Sequence, residues 1–262
     1  MPAKLLVFGL GYTTRALVGR LGRDGEIAHT TRGAGGPELP AGGIDRVTHI
    51  LVSIPSDDAG DPVLNLYRAE ITALKELRWL GYLSTTGVYG TRDGGWVDEE
   101  SELRPSSPRA VRRVAAEQEW RALGAHIFRL AGIYGPGRSA FDALRAGSAR
   151  RIDTGGQVFS RIHVDDIASV LLASIAKPRP GAVYNVCDDE PAAQADVVAY
   201  AARLLGVEPP PLVPLAEANL SPMAASFYAD NKRVANALIK QELGVALAYP
   251  NYREGLAAIL TR

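Results

Sequence analysis

A glycine-rich turn is the first stretch of this sequence whose residue types point to chemistry. The run GLGYTT begins at Gly9, within the end of the short apolar segment 4–10, and leads into apolar residues at helical spacing. The first glycine permits a tight turn, the second lets a pyrophosphate approach the backbone, and the N-terminus of a helix attracts an anion. The sequence therefore predicts a dinucleotide site, with Gly9, Gly11, Tyr12, Thr13, Thr14, Ser53 and Pro55 as its expected residues.

Thr14 stands where the usual dinucleotide fingerprint has a third glycine. That glycine serves close packing of the helix on the strand. A threonine there either loosens this packing or lets a hydroxyl reach the phosphate, and the sequence leaves both alternatives open.

The residue at the end of the second predicted strand, 26–31, indicates the type of dinucleotide. An acidic residue there would hold the ribose 2′-hydroxyl of NAD, whereas an arginine suits the 2′-phosphate of NADP. The sequence has Arg32 after Thr30 and Thr31, with no acidic residue among them. We therefore expect NADP, with NAD as the alternative. The alternative interpretation is that Arg32 binds no ligand and is a solvated arginine at the start of a loop.

Three hydroxyls end another predicted strand, 79–86, where Ser84, Thr85 and Thr86 follow one another. Ligands of open parallel α/β sheets bind at the carboxyl ends of the strands. We therefore expect these hydroxyls to face the same cleft as the glycine turn.

Arginines crowd the start of the next predicted helix. Ser107 is a suitable N-cap and Pro108 suits the first helical position. Arg109, Arg112 and Arg113 follow at the end where the helix dipole repels cations, at a cost of roughly 0.3–1 kcal/mol each. We expect a bound phosphate or anionic substrate to face Arg109 and Arg113, and we expect Arg112, on another side of the helix, to be solvated.

The elements that would position these residues alternate between strand and helix. Apolar runs predict buried strands at 4–10, 26–31, 49–54, 79–86 and 126–133, and helical patterns separate most of them. This alternation indicates a doubly wound parallel α/β sheet. Segment 33–46 contains five glycines and two prolines, so we expect a loop there, or at most one turn, in place of a crossover helix.

Composition excludes several classes of protein. The 262 residues include 29 Lys+Arg and 29 Asp+Glu, which argues against a nucleic-acid or membrane-binding surface over the whole molecule. The single cysteine, Cys187, lies in an apolar run, which favours a buried thiol over a nucleophile and suits a reducing compartment. Because no apolar run approaches the ~20 residues of a membrane span and no signal peptide is evident, we expect a cytoplasmic protein.

Five further landmarks occur in a characteristic order: STTGVYG, RPSSPRAVRRVAAEQ, FRLAGIYGPGR, FSRIHVDDIA and AVYNVCDDEP. Together they resemble the extended short-chain dehydrogenase/reductase family of NAD(P)-dependent epimerases, dehydratases and reductases. The resemblance implies a Rossmann-type sheet with a small C-terminal substrate-binding domain. Residues 1–135 and 155–187 would then form the NAD(P)-binding domain, and 136–154 and 188–262 the substrate-binding part.

Two catalytic positions depart from the pattern of that family. Thr85 matches the family's catalytic Ser/Thr, which hydrogen-bonds the reacting oxygen of the substrate, but the YxxxK tyrosine and lysine fall on Arg109 and Arg113. Because arginine stays protonated, Arg109 cannot shuttle a proton, although it can hold an anion or polarise a carbonyl. Arg113 can keep the lysine's contact with ribose or phosphate. The chain thus resembles an atypical branch that lacks YxxxK.

Other candidates flank the expected cleft. Tyr89, Tyr134, Arg138 and Arg161 are predicted to contact a small anionic or sugar-like substrate, with packed aromatic rings and surface ion pairs as the alternatives. The segment HVDD at 163–166 does not have the spacing of a metal site, so no metal is expected, and its Asp165 suits the first turn of a helix. The family resemblance also implies a homodimer through the helices at 64–76 and 108–123.

Two classes of function remain open. The first is an NADP-dependent oxidoreductase or epimerase-like enzyme. The second is a non-catalytic NADP(H)-binding sensor or regulatory protein that has lost the tyrosine and lysine. Fold alone does not separate the two, because an enzyme needs a formed pocket around Thr85 whereas a sensor needs only the dinucleotide site.

Overall fold

A parallel sheet is the centre of the molecule, which is described here by a computed structural model for residues 4–21, 26–220, 225 and 228–261. The strands in chain order are β1 (Lys4–Phe8), β2 (Glu26–His29), β3 (Thr31–Gly33), β4 (Gly36–Glu38), β5 (His49–Val52), β6 (Trp79–Thr85), β7 (Trp96–Val97), β8 (His126–Leu130), β9 (Gly132–Tyr134), β10 (Arg151–Asp153), β11 (Arg161–His163), β12 (Val183–Val186), β13 (Leu212–Pro214) and β14 (Arg233–Val234). Within the described residues, six of them pair in parallel in the order β2-β1-β5-β6-β8-β12. The predicted doubly wound α/β sheet is confirmed.

Helices cover both faces of this sheet. They are α1 (Tyr12–Leu21), α2 (Pro62–Ala73), α3 (Pro108–Ala122), α4 (Ala140–Arg145), α5 (Val164–Ala176), α6 (Gln194–Leu205), α7 (Ala237–Gln241) and α8 (Tyr252–Leu260). Local sequence fixes their starts: the side chain of Asp61 accepts two backbone N–H groups of α2, and that of Ser107 accepts the Ala110 N–H of α3. Among the described residues, no helix is long and apolar enough to cross a membrane.

The crossover between β2 and β5 contains no helix, as its glycines and prolines predict. Instead, β3 and β4 form an antiparallel hairpin in which Arg32 pairs with Pro37. Gly36, the first residue of β4 after the turn, adopts a φ of +127°, a conformation that residues with a Cβ rarely adopt. The chain then returns as β5, directly beside β1. The hairpin is a difference from the predicted loop, and it fixes the backbone on both sides of Arg32.

Successive residues of β1 supply two separate apolar cores. Leu5 and Val7 pack into a cluster shared with α1 and α5, whereas Leu6 and Phe8 pack into a cluster shared with α2 and α3. Adjacent side chains of a strand point to opposite faces, so a strand buried on both faces is apolar throughout. This explains why the sheet strands appear in the sequence as continuous apolar runs.

A third and smaller apolar cluster lies outside the two that flank the sheet. It joins α4, α6 and α8 through Phe141, Ala201 and Leu256. Alongside these helices, β10 and β13 form a short parallel pair. All these elements belong to the segments predicted to form a substrate-binding part, and the division of the chain into domains stays a prediction.

Candidate functional site

The glycine turn after β1 is held tightly on its protein side and is open on the other. Gly9 has a φ of +91°, and a Cβ atom there would lie 2.8 Å from Ser53 Oγ and 2.9 Å from Ile54 Cγ1. A Cβ atom at Gly11 would meet no atom of the described chain within 4 Å. Only the second glycine therefore faces free space, at the point where α1 begins. An unblocked helix N-terminus of this kind suits an anionic group.

Three hydroxyls close the turn from the protein side. Thr30 Oγ1 accepts the Gly9 N–H at 3.2 Å, while Ser53 Oγ and Thr14 Oγ1 donate to the Gly9 carbonyl at 2.6 and 2.9 Å. Thr14 is fully buried. Its hydroxyl therefore replaces the third glycine by tying the helix to the turn, and it does not extend towards a phosphate. Ser53, predicted to bind the cofactor, likewise directs its hydroxyl at the turn.

The remaining residues predicted for this turn lie at its rim. Tyr12 is half-buried and donates its hydroxyl to the Pro136 carbonyl at 3.0 Å. Thr13 is buried, and Pro55 is exposed after β5. Arg138 is exposed, with its guanidinium carbon 5.7 Å from the centre of the Tyr12 ring. Arg138, predicted from the sequence to bind substrate, thus lies beside the glycine turn.

Arg32 is exposed on the hairpin that follows β2. No hydrogen bond or ion pair joins its guanidinium to any described residue. Thr30 and Thr31 precede it, and the Thr30 hydroxyl is already bonded to the glycine turn. Arg32 is therefore a cation without a partner in the described part of the chain, next to the end of the strand beside β1.

Thr85 ends β6 at the same edge of the sheet. Its hydroxyl oxygen accepts the Gly87 N–H at 3.1 Å and thereby caps the 3-10 turn Thr86–Tyr89. The side chain is half-buried. Accepting this bond leaves the hydroxyl proton available to an acceptor outside the chain. Because β6 lies next to β5, and β5 next to β1, the predicted catalytic hydroxyl and the glycine turn share one edge.

Arg109 and Arg113, the two arginines predicted to stand at the YxxxK positions, have different surroundings. Arg109 is exposed in the first turn of α3 and has no hydrogen bond or ion pair with any described residue. Arg113 is only 7% exposed, and its Nη1 donates to Tyr82 Oη at 2.7 Å and to the Leu83 carbonyl at 3.2 Å. Its Nε is buried without a hydrogen-bond partner in the described chain.

The bond from Arg113 to Leu83 has a reason in the sheet. The Trp79 N–H donates to the Thr48 carbonyl, so the odd-numbered residues of β6 direct their backbone groups towards β5. β5 ends at Val52, which pairs with Tyr82. The next carbonyl of β6 that points towards β5, that of Leu83, therefore has no partner strand. Arg113 donates a hydrogen bond to this carbonyl, so its contact with β6 stabilises the fold.

The third arginine of this helix corrects an expectation. Arg112 was predicted to be solvated, but its Nη1 forms an ion pair with the carboxylate of Asp58 at 2.5 Å. This pair ties α3 to the loop that follows β5, since Asp58 lies between β5 and α2. The carboxylate is 95% exposed, so the pair contributes little to stability.

Tyr89 belongs to a buried polar network that the sequence analysis did not find. Its hydroxyl donates to Asn185 Oδ1 at 2.7 Å and accepts from Arg129 Nη1 at 2.8 Å, and burial raises the pKa of Tyr89 to about 12. Arg129 also forms an ion pair with Glu117 at 2.8 Å, and Glu117 accepts the Ser84 hydroxyl at 2.5 Å. This placement argues against the predicted contact between Tyr89 and a substrate.

Tyr134 and Arg161 lie in a second buried region, around the C-terminal end of β12. Tyr134 is 8% exposed and packs so closely on α8 that a Cβ atom at Gly255 would lie 2.1 Å from its hydroxyl. Arg161 donates to the carbonyls of Phe159 and Ala192 and to Gln194 Oε1 at 2.7–2.9 Å. Both terminal nitrogens of Arg161 donate to acceptors of the protein, and Arg161 is 7% exposed, so neither predicted substrate residue lines an open cleft.

Asp188 lies in the same region and is the most perturbed carboxyl group there. Burial raises the pKa of Asp188 to about 8, although the nearby Arg161 opposes this shift. Its Oδ2 atom is buried and has no hydrogen-bond partner among the described residues. Burial therefore favours the neutral form of Asp188. Asp188, Asp189 and Glu190 follow one another after the apolar strand, and nothing in the local sequence distinguishes Asp188 from the other two.

The structure therefore divides the predicted site residues into two groups. The glycine turn, Ser53, Arg32 and Thr85 lie along one edge of the sheet, and Arg138 joins them through Tyr12. Tyr89, Tyr134, Arg113 and Arg161 are buried and bonded to the protein. Among the described residues, no group of three or more His, Cys, Asp and Glu side chains is arranged to hold a metal ion.

Comparison with known proteins gives a family match over part of the chain. A model of the NAD dependent epimerase/dehydratase family matches residues 66–187. A 3-diazoavenalumate denitrifying reductase from a Streptomyces species is 31% identical over 179 residues, which cover 61% of this chain and 58% of that protein. The chain thus spans less than two thirds of the length of this curated relative.

Solved structures extend the similarity over the whole chain. A functionally unknown conserved protein from Silicibacter pomeroyi DSS is 52% identical, with a TM-score of 0.93 and coverage of 99% of this chain and 98% of that one. The human epimerase family protein SDR39U1, solved with NADPH, is 17% identical, with a TM-score of 0.75 and coverage of 98% and 99%. The human protein shares the fold. Sequence landmarks, sheet topology and these matches agree: residues 66–187 match the NAD dependent epimerase/dehydratase family, and the chain as a whole has the fold of the solved proteins.

Proposed function

We propose that this chain is an NADP(H)-dependent oxidoreductase or epimerase-like enzyme that acts on a small anionic or sugar-like substrate. The observation that carries the proposal is the Thr85 hydroxyl at the carboxyl edge of β6, two strands away from the glycine turn that follows β1. A substrate oxygen bound by Thr85 and a dinucleotide bound at the turn would share this edge of the sheet.

The glycine turn fits a nicotinamide dinucleotide. The space outside Gly11 is open, and the first N–H groups of α1 have no acceptor within their own helix. These groups would hold the pyrophosphate, while Thr14, Thr30 and Ser53 keep the turn in shape from behind. When bound, the nicotinamide supplies or accepts a hydride.

Arg32 supports NADP over NAD. It is exposed and has no partner in the described chain, and the β3–β4 hairpin fixes its backbone next to the end of β2. A guanidinium group matches the geometry and charge of a 2′-phosphate, which NAD lacks. A dehydrogenase-type NAD site would instead carry an acidic residue at this strand end.

Thr85 and two arginines of α3 would bind the substrate and the cofactor. The Thr85 hydroxyl would donate to the reacting oxygen, and Arg109, exposed in the first turn of α3, would hold an anionic group or polarise a carbonyl. Arg109 cannot supply a proton, because arginine stays protonated at any useful pH. Arg113 would present its remaining donors to a ribose or phosphate oxygen, although Nη1 is committed to β6.

A sensor or regulatory protein is the second candidate, and one observation favours it. The hydroxyls of Tyr89 and Tyr134 are buried, and burial raises the pKa of each tyrosine. Neither tyrosine therefore offers an accessible proton donor in place of the family tyrosine. A chain that binds NADP(H) without such a donor can report the ratio of oxidised to reduced cofactor.

Cofactor binding tests the NADP proposal directly. We expect NADPH to bind more tightly than NADH, and Arg32→Ala to weaken NADPH binding about tenfold while leaving NADH binding unchanged, as titrations followed by cofactor fluorescence would measure. Arg203→Ala is the matched control, since Arg203 is another exposed arginine, on α6. Equal affinity of the unaltered protein for both cofactors would contradict the proposal of NADP.

Turnover separates the enzyme from the sensor. We expect oxidation of NADPH with a member of a panel of aldehydes, keto acids and sugar nucleotides. Thr85→Val should lower kcat about a hundredfold, because it removes a hydrogen bond to the reacting oxygen, and Thr85→Ser should restore most of the rate. Tight NADPH binding without turnover on any member of the panel would favour the sensor.

A further inference from the structure

Tyr12 connects the glycine turn to a distant loop. It is the first residue of α1, and its hydroxyl donates to the Pro136 carbonyl at 3.0 Å, across 124 positions of sequence. The contact is close: a Cβ atom at Gly135 would lie 2.5 Å from Tyr12 Oη and 2.7 Å from Val164 Cγ1. The loop 135–138 is therefore seated directly against the start of α1.

This loop is itself closed by backbone hydrogen bonds. The Gly135 N–H donates to the Arg138 carbonyl at 3.1 Å, and the Arg138 N–H donates to the Gly135 carbonyl at 3.0 Å. Gly137 adopts a φ of +71° inside the turn, a conformation that glycine takes without strain. The backbone of Arg138 is therefore fixed relative to Tyr12 and to the first turn of α1.

The side chain of Arg138 lies over the Tyr12 ring. Its guanidinium carbon is 5.7 Å from the ring centre, within the range of a cation–π contact. The side chain is exposed, and no carboxylate or other hydrogen-bond acceptor of the described residues binds its guanidinium group. Its charge lies beside a helix N-terminus, where a cation is unfavourable unless an anion is present.

We propose that Arg138 binds the pyrophosphate of the dinucleotide and that Tyr12 is the residue that positions it. This inference rests on the proposed function, because it requires a dinucleotide at the glycine turn. The open space outside Gly11 receives the pyrophosphate, the first N–H groups of α1 bind it on one side, and the guanidinium of Arg138 neutralises it from the loop 135–138. Arg138 thus acts on the cofactor, whereas the sequence alone predicted a contact with substrate.

The two cofactors distinguish this role from that of Arg32. The pyrophosphate is common to NADH and NADPH, so Arg138→Ala should weaken the binding of both about tenfold, as measured by fluorescence titration. Arg32→Ala should affect NADPH alone. Arg203→Ala is the matched control, because Arg203 also lies over a tyrosine ring, with its guanidinium carbon 5.9 Å from the Tyr200 ring centre. We expect this variant to bind both cofactors normally.

Two further variants test the part played by Tyr12. Tyr12→Phe keeps the ring but removes the bond to Pro136, so it should weaken both cofactors about threefold, and Arg138→Ala should cost less in this background. Arg138→Lys should recover part of the affinity because it restores the charge. The midpoint of urea unfolding without cofactor should be unchanged in all of these variants, which separates cofactor binding from stability.

The outcomes separate the two proposals. If the unaltered protein binds neither NADH nor NADPH, the proposed function fails. If the unaltered protein binds a cofactor and Arg138→Ala binds it equally well, the inference about Arg138 fails while the proposed function stands. A loss confined to NADPH would assign Arg138 to the 2′-phosphate and would likewise overturn the inference.

Discussion

The ion pair between Glu117 and Arg129 offers the sharpest test of how the structure is held together behind the candidate site. The two side chains are 3% and 4% exposed, and Arg129 donates to both carboxylate oxygens of Glu117. Glu117 lies on α3 and Arg129 on β8, so the pair fastens the helix to the sheet. Glu117→Gln removes the negative charge with little change in shape.

The expected loss follows from what the change leaves behind. Arg129 keeps its bonds to Tyr89 Oη and the Glu99 carbonyl, but it becomes a buried cation without a carboxylate bonded to it. Breaking one side of a buried ion pair costs about 3–5 kcal/mol of unfolding free energy. At roughly 2–4 °C per kcal/mol for a chain of this size, the midpoint of thermal unfolding should fall by ~6–20 °C.

Urea unfolding followed by circular dichroism at pH 7 measures this loss. The matched control is Glu119→Gln on the same helix, because Glu119 forms an ion pair with Arg68 in which both side chains are about 45% exposed. Such a pair contributes at most about 1 kcal/mol. Replacing both buried partners, as Glu117→Leu with Arg129→Met, should cost far less than the sum of the single changes. A loss below ~1 kcal/mol for Glu117→Gln, equal to that of the control, would refute the reasoning.

Two further predictions concern buried carboxyl chemistry and the glycine turn. The pKa of Asp188 is raised to about 8 in the folded chain, so between about pH 4 and 8 the folded state holds this proton more tightly than the unfolded state does. The free energy of unfolding should therefore fall as pH rises through this window, by ~6 kcal/mol at most. Asp188→Asn should flatten that slope in urea unfolding, and an unchanged slope would show that another group causes it. Gly9→Ala should destabilise the fold by roughly 1–3 kcal/mol, because its Cβ would crowd Ser53 and Ile54 at a φ of +91°. Gly11→Ala, in contrast, should leave stability unchanged and weaken dinucleotide binding. Normal binding by Gly11→Ala would mean that the dinucleotide does not approach the turn.

The elements of the fold could be predicted closely from the sequence. Five strands of the central sheet, β1, β2, β5, β6 and β8, lie within predicted apolar runs, and α3 begins at Pro108 after its Ser107 cap, as local sequence indicates. These features depend on periodicity and capping, which act over a few residues. The glycine and proline content of segment 33–46 correctly excluded a helix, but it did not reveal that Arg32 pairs with Pro37 in a hairpin.

The roles of individual side chains were harder to predict. Tyr89 and Tyr134 each precede a glycine near a strand end, and nothing local distinguishes a tyrosine that faces a cleft from one that faces the core. The Arg112–Asp58 pair was also missed, because its partners lie 54 positions apart. A position on a strand or helix defines a face, but the elements that cover this face are brought there by the rest of the chain.

The sequence by itself determined the class of sheet, the glycine turn, the arginines at the start of α3, and the cation after the second strand, because each depends on residue type and short-range spacing. Only the tertiary structure decided which polar groups are accessible. It buried Arg113 against the unpaired end of β6, raised the pKa of Asp188 by burial, and brought Arg138 to Tyr12 from a distant loop. Burial and long-range contact depend on how elements far apart in sequence pack together, and desolvation then sets the charge of each group.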